Sequence, residues 1–414
     1  MPYLTARIQQ QTDSQFPEIT SALLGLLYPQ FLNPVPSMAI ARFDADPEQS
    51  IPASGYVIEK HTPLFASSHQ GQTCRFRTCS PVTLWPVEVA YAGFASPAQF
   101  DFLDAATNVA TVLRLRLQCQ SDTFPALALQ RLRFYLHGER AMVNALYELL
   151  CCHVLRIAML PDNSTRPVFL PEDALVPVGF GVDEEVLPYP PHAHPGYRLL
   201  QEYFTFPEKF WFFDLAHLNP QVAQTTCDIL ILLDQMPQER CTVDRQTFCL
   251  GCTPVVNLFP KTTEPIRLDH RKTAYRLIPD VRRERETEIH SILRVSASSS
   301  ADDITTTFEP FYSFHHRLES RDHQAFWHAK RQPTGRQDLP GTSLAPWSAW
   351  RRCWRTISTS RSEASNAMGN GSISTPTNSP PSAGRGAING WAAGSSSAPV
   401  SGISKENSSS IWVP

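Results

Sequence analysis

Apolar positions along this chain change period several times, and each change marks an element. In "PEITSALLGLL" (17–27), Pro17 suits a first helical position, and Ile19, Leu23, Leu26 and Leu27 share one face. The spacing predicts a short amphipathic helix stopped by Pro29. "NPVPSMAIARFD" then turns extended: Pro34 and Pro36 exclude helix, and Ala39, Ala41 and Phe43 alternate with Met38, Ile40 and Arg42. "CRFRTCSPVTLWPVEV" reads as two strands around a Ser80-Pro81 turn, and "LRLRLQC" (113–119) as a strand with one wet face. "HGERAMVNALYELLCCHVLRIAML" predicts a turn, a helix with Met142, Leu146, Leu149 and Leu150 on one side, and a strand from Val154 to Leu160.

The densest signal is "YRLLQEYFTFPEKFWFFDL" (197–215), with eight aromatic rings in nineteen positions. It splits at Pro207. The first part has helical spacing through Leu199, Tyr203 and Phe206; "KFWFFDL" is a continuous apolar run of strand length. "DILILLD" (228–234) is a second such run, expected to be buried on both faces. Rings at this density either line a pocket or fill a wall. No repeat of fixed period is visible.

From residue 343 onward Ser, Gly, Pro, Ala and Asn dominate, and so little apolar area cannot offset the entropy of ordering. The expected fold class is therefore α+β and β-rich, multidomain, with a disordered C-terminal tail. The expected organisation is an N-terminal helical segment (1–36), a β-rich mixed domain (37–165), a second α+β domain (166–340) and a low-complexity tail (341–414). The 36 prolines, against roughly 21 for an average chain of this length, disfavour an all-helical protein.

A net charge of −3 gives no bulk electrostatic reason to expect nucleic acid or an anionic membrane as main partner. The start lacks a basic region followed by an apolar one, and no apolar run approaches the roughly 20 residues of a membrane span. The expected location is the cytosol, where the ten cysteines are reduced thiols.

Candidate chemistry is sparse. Cys249-x-x-Cys252 has zinc or redox spacing but no second pair to complete a structural site, so two buried thiols are the expectation. His192 and His194, or His315 and His316, lack a third ligand in the sequence. "DVRRERETE" (280–288) reads as a solvated, charged helix face. There is no phosphate-binding glycine loop and no Gly-x-Ser-x-Gly elbow, and the acidic pair Glu184-Glu185 carries no glycosidase claim without a pocket. No catalytic residue, cofactor or metal site is assigned.

Several stretches, in order, resemble the TssF family, also called VasA or ImpG, of type VI secretion baseplate subunits. They are "FPEITSALLGLLYPQFLNPVPSMAIARF" (16–43), "CRFRTCSPVTLWPVEV" (74–89), "PHAHPGYRLLQEYFTFPEKFWFFDL" (191–215), "CTPVVNLFPKTTEPIRLDHRKTAYRLIPD" (252–280) and the following "EIHSI". The resemblance implies a non-enzymatic scaffold of the cytoplasmic baseplate wedge, linking spike hub, sheath and membrane complex. The implied partners are TssG, a second TssF copy, and TssK, TssE and VgrG. It also implies that Tyr197, Tyr203, Phe204, Phe206, Trp211 and Phe213, with Leu199, pack as core, any rings left outside serving subunit contacts. Two departures stand out. The family begins with an additional helical stretch, and it continues in folded sequence where this chain becomes Ser/Gly/Pro-rich, which suggests a reading-frame slip near Thr342. The competing expectations are a carbohydrate-binding module or enzyme using the rings as a stacking platform, and a nonfunctional remnant of the family.

Overall fold

The computed structural model describes residues 3–7, 9, 20, 23–25, 27–44, 51–67, 73–120, 123–162, 164–190, 193–220, 223–237, 241–268, 271–284, 287–298, 306–311, 325–332, 341–348, 356–366 and 410–412. The chain forms two compact units, one of Met1–Ser37, Pro188–His194 and Asn257–Gly371, the other of Met38–Leu187, Pro195–Val256 and Ser372–Pro414.

The second unit is built from β1 (Met38–Arg42), β2 (Tyr56–Ile58), β3 (Pro63–Ser67), β4 (Thr73–Thr78), β5 (Val82–Leu84), β6 (Val87–Ala95), β7 (Thr111–Cys119) and β8 (Leu132–Leu136). Helix α1 (Arg140–Cys152) follows, then β9 (Val154–Pro161), β10 (Val168–Phe169), β11 (Leu175–Val178), helix α2 (Pro195–Thr205), β12 (Phe212–Leu215), β13 (Thr226–Leu233), β14 (Phe248–Cys249) and β15 (Cys252–Val256). Among the described residues these strands make sheets ordered β1-β15-β4-β3, β10-β9-β13-β7-β6 and β11-β12-β8-β14, plus the pair β2-β5; a strand Ser410–Trp412 adds to the outer edge of β1.

The apolar runs take the central places. β13 lies between β9 and β7, and its residues from Cys227 to Leu233 are buried whichever way they point, which is why this stretch shows no alternation. Its edge-ward neighbour β7 does alternate: Leu113, Leu115 and Leu117 are buried, while Arg114 and Arg116 are only half-buried. On the face bearing Leu230 and Leu232, the core is closed by Phe100 and Leu103 from the short 3-10 turns before β7. In the sheet next in sequence, Phe213 of β12 stacks on Phe134 of β8 with ring centroids 5.2 Å apart, and Phe248 meets both edge-on at 6.4 Å. α1 buries Val143, Leu146, Leu149 and Leu150.

The first unit holds β16 (Phe259–Lys261), β17 (Ile266–Arg267), β18 (Tyr275–Arg276), β19 (Thr287–Ser298), β20 (Thr306–Pro310), β21 (Ala325–Gln332), β22 (Gly341–Ser348) and β23 (Thr356–Asn366). They form one sheet, ordered β16-β23-β19-β20-β21-β22-β18 with β17 also on β23, around Leu277, Ile289, Val295, Phe308 and Leu344. The pair β20-β21 is parallel and the others antiparallel.

Three stretches differ in detail from the sequence expectation. In 17–27, the described residues Thr20, 23–25 and Leu27 are helical, but Leu23 and Leu27 are 56% and 52% exposed rather than packed. The charged run 280–288 is a turn and then the start of β19 over its described residues, not a helix. Asp280 accepts from the Arg282 N–H at 3.0 Å and from Lys261 Nζ at 2.8 Å, which holds the turn. The low-complexity region from 341 contains β22, β23 and the strand at 410–412, while 349–355 and 367–409 lie outside the described residues. Thr342 and Leu344 are buried in β22, which pairs with β21 and β18.

Candidate functional site

The helical half of the aromatic stretch is inside out. α2 buries Arg198 and Glu202, four residues apart and so stacked on one face, and exposes Tyr197, Leu200, Tyr203 and Phe204 at 44%, 56%, 53% and 79%. A surface helix ordinarily does the reverse.

The cause lies in what the helix covers. Residues 179–187 cross beneath it without regular strand pairing, and their backbone groups need side-chain partners. Arg198 donates to the carbonyls of Val182 and Gly181, each at 2.8 Å, and to Phe180 at 3.4 Å. Glu202 Oε1 accepts the N–H groups of Val186 at 2.7 Å and Leu187 at 3.2 Å. Its other oxygen accepts from the ammonium of Lys209, on the 3-10 turn Pro207–Phe210 that follows the helix, and lies 3.9 Å from Arg198 Nε. Three charged side chains are thus almost wholly enclosed, with their polar atoms mostly spent on the loop and on one another. Burial lowers the Lys209 pKa, and the Glu202 carboxylate opposes that shift. Within the loop Glu184 accepts the Gly179 and Gly181 N–H groups at 2.8 Å, and Lys60 bonds Glu185 at 2.9 Å and the Asp183 carbonyl at 2.8 Å.

The expected core rings therefore separate into two groups. Phe206, Trp211 and Phe213 are buried, and Trp211 Nε1 donates to Asn144 Oδ1 at 3.2 Å. Tyr197, Tyr203 and Phe204 are not core: with Arg198 and Glu202 drawn in by the loop, the helix has no other way to turn. From the buried Phe210, ring contacts run outward to Phe180 at 5.0 Å and to Tyr203 at 6.2 Å, and Tyr203 meets Phe204 at 5.5 Å. A sugar-stacking platform needs polar groups beside exposed rings. Of the rings such a platform would use, Trp211 and Phe213 are enclosed and only Tyr197 and Tyr203 are exposed, while the charged groups of the helix itself, Arg198 and Glu202, point inward.

Other candidates resolve into structure. Cys249 and Cys252 are buried; their thiols reach the carbonyls of Gln246 at 3.2 Å and Leu250 at 3.6 Å. A hydrogen bond with Cys252 lowers the Cys249 pKa against burial, aided by Arg42, whereas burial pushes Cys252 up. Among the described residues no group of three or more His, Cys, Asp or Glu is placed to hold a metal. His194 is exposed; His192, His315 and His316 lie outside the described residues. A cavity of about 350 Å³ is lined by Arg42, Arg133, Arg245 and Cys249 among others. Arg42 is engaged by Asp44 at 2.9 Å and Arg133 by Asp214 at 2.7 Å, so neither offers an uncompensated charge to a ligand.

The sequence reading missed the buried carboxylates. Asp228, at the head of the apolar run on β13, takes hydrogen bonds from Arg114 Nε at 3.0 Å and Arg116 Nε at 2.7 Å. Asp214 on β12 takes two from Arg133, at 2.7 and 2.9 Å. The available signal was an acid inside an otherwise apolar strand, which demands a cation from a neighbouring strand.

A chain in the cryo-electron-microscopy structure of the type VI secretion system TssK-TssF-TssG baseplate subcomplex superposes with a TM-score of 0.69 and 23% identity, over 88% of this chain and 66% of that one. A chain of the type VI secretion baseplate complex does so with a TM-score of 0.54 and 23% identity, over 90% and 62%. The fold is that of a type VI secretion baseplate chain. The family model "Type VI secretion system, TssF" matches residues 1–350, and the type VI secretion system component TssF1 of Pseudomonas aeruginosa PAO1 is 34% identical over 341 residues. The chain belongs to the TssF family. The match covers 80% of this chain and 55% of that relative, so the chain spans little more than half the length of the relative. Among the described residues no helix is long and apolar enough to cross a membrane.

Proposed function

We propose that this chain is a structural subunit of a type VI secretion baseplate, a scaffold without catalytic role that links spike hub, sheath and membrane complex. The observation that carries the reading is the family match over residues 1–350. Its immediate partners are TssG- and TssK-type subunits, the companions named for the solved subcomplex with the same fold. A second copy of the chain, TssE and VgrG complete the assembly in this reading, which sits in the cytoplasm against the inner-membrane secretion complex. The work of such a subunit is to hold large contacts and to change their arrangement when the sheath contracts. Two sheets suit that work: their buried carboxylates, Asp228 and Asp214, are neutralised by arginines of neighbouring strands.

The test is co-expression of this chain with its TssG- and TssK-type partners, followed by size exclusion with light scattering. Elution as one complex of defined mass is expected. Separate elution of folded components overturns the reading.

A further inference from the structure

We propose that the outward face of α2, formed by Leu200, Tyr203 and Phe204 with Phe180 and Val182 of the loop beneath it, is a docking surface for a partner protein. The docking segment is an apolar ridge flanked by lysine or arginine. The inference rests on the baseplate reading and assigns one of its contacts to named residues. The five side chains are 49–79% exposed, and the ring contacts from Phe180 through Phe210 and Tyr203 to Phe204 tie loop and helix into one patch. Scattered exposed apolar residues are ordinary, but a helix that encloses two charges and presents a leucine, a tyrosine and a phenylalanine on its outside is not. The buried network makes this orientation obligatory: rotating α2 to hide Phe204 would strip Arg198 and Glu202 from the loop carbonyls and N–H groups that they satisfy. The rings are held outward by the fold, in the manner of a preorganised contact.

The chemistry of the occupant follows from the rim. Residues 179–187 and 195–209 contain two cations, Arg198 and Lys209, and both are buried. Glu184 is spent on the Gly179 and Gly181 N–H groups and Glu185 on Lys60, so the acidic margin is carried by Asp183, which is exposed, and Glu208, which is half-buried. An apolar centre with an acidic margin favours apolar residues flanked by Lys or Arg. The same margin argues against a second copy of this surface meeting itself about a two-fold axis, where acid would face acid, and against an anionic lipid surface.

The experiment uses the full chain co-purified with its TssG- and TssK-type subunits, and compares the wild type with L200S/F204S and with D183K/E208K. All four substituted positions lie outside the buried network, and unchanged thermal midpoints check that each variant is folded. Dissociation constants for the chain and the partner subcomplex are read at low and high salt. The expected result is at least about tenfold weaker association for L200S/F204S, and for D183K/E208K a weaker complex whose affinity depends less on salt. Wild-type affinity in both variants overturns the docking surface while leaving the baseplate reading intact. Absence of any complex with wild-type chain overturns both. A dimer of the chain alone that L200S/F204S abolishes makes the occupant a second copy and overturns the committed partner chemistry.

Discussion

The ammonium of Lys209 and the carboxylate of Glu202 form an ion pair in which the two side chains are 2% and 1% exposed. The pair joins α2 to the turn that leads into β12, and Glu202 also caps the N–H groups of Val186 and Leu187. Breaking it by removing one partner leaves an uncompensated charge inside the protein. K209M is expected to cost about 3–5 kcal/mol of unfolding free energy. E202Q keeps an oxygen for the two N–H groups but removes the charge that Lys209 and Arg198 face, so it also destabilises. The double variant is expected to lose less than the sum of the two, because the second substitution removes the orphan left by the first. Urea unfolding of the four proteins measures this directly; strict additivity would mean that the pair is not coupled.

The two halves of the aromatic stretch are expected to respond differently to truncation. Phe213→Ala removes a ring stacked on Phe134 inside the sheet and is expected to cost about 3–5 kcal/mol. Phe204→Ser, at a position 79% exposed, is expected to stay within about 0.5 kcal/mol of wild type. Denaturant titration distinguishes the two, and a large cost at Phe204 would place that ring against part of its own chain.

Asp228 makes stability depend on acid pH. Burial works to raise its pKa, but hydrogen bonds from Arg116 and Arg114 outweigh burial, so the folded value lies below the ordinary one. A depressed carboxylate contributes stability that is fully present above its unfolded pKa, about 3.9, and is lost as pH falls through the lower folded value. The thermal midpoint of wild type is therefore expected to exceed that of D228N near neutral pH, with the gap closing as pH drops below about 4. A gap that is constant across this range would show that the carboxylate's charge is not what stabilises.

Gly251 turns the chain from β14 into β15 at φ +69°, and a Cβ there would lie 2.4 Å from the Phe43 carbonyl oxygen. Backbone and not a flexible side chain is the obstacle, and the Gly251 carbonyl accepts the Phe43 N–H at 2.9 Å. G251A is expected to destabilise by more than about 1 kcal/mol, read by the shift in denaturation midpoint.

Thiol reactivity should follow burial. Cys151 and Cys152 at the end of α1 are exposed, whereas Cys79 and Cys227 are buried and their thiols are pushed up to about 12, by burial first. Brief labelling with iodoacetamide at pH 8, mapped by mass spectrometry, is expected to modify Cys152 first in the native protein, Cys151 more slowly because partial burial raises its pKa, and Cys79 and Cys227 only after unfolding. Rapid native labelling of Cys227 would contradict the central place of β13.

Period and composition made some parts of this molecule legible. "DILILLD" reads as a strand buried on both faces because seven positions without alternation leave no wet side, and β13 is such a strand. "LRLRLQC" shows one wet face because its arginines alternate with leucines, although one of the functions of those arginines, neutralising Asp228, needs a strand distant in sequence. At α2 the pattern misleads. Leu199, Tyr203 and Phe206 at helical spacing suggest an apolar inner face, yet the inner face is set by Arg198 and Glu202, whose partners lie in 180–187 and at Lys209.

The sequence by itself determined the alternation of strands and helices through the second unit, the apolar character of "KFWFFDL" and "DILILLD", and the family. These are local or additive properties: a period, a run, an ordered set of matching stretches. Tertiary structure alone decided that β13 lies between β9 and β7, that β12 pairs with β8, and that α2 turns its rings to solvent. Those outcomes depend on pairings that no local period records: strands distant in sequence for the sheets, and polar partners 7 to 18 residues away for α2. Hydrophobic spacing records that a helix has two faces; only the hydrogen bonds of the folded chain decide which of them faces in.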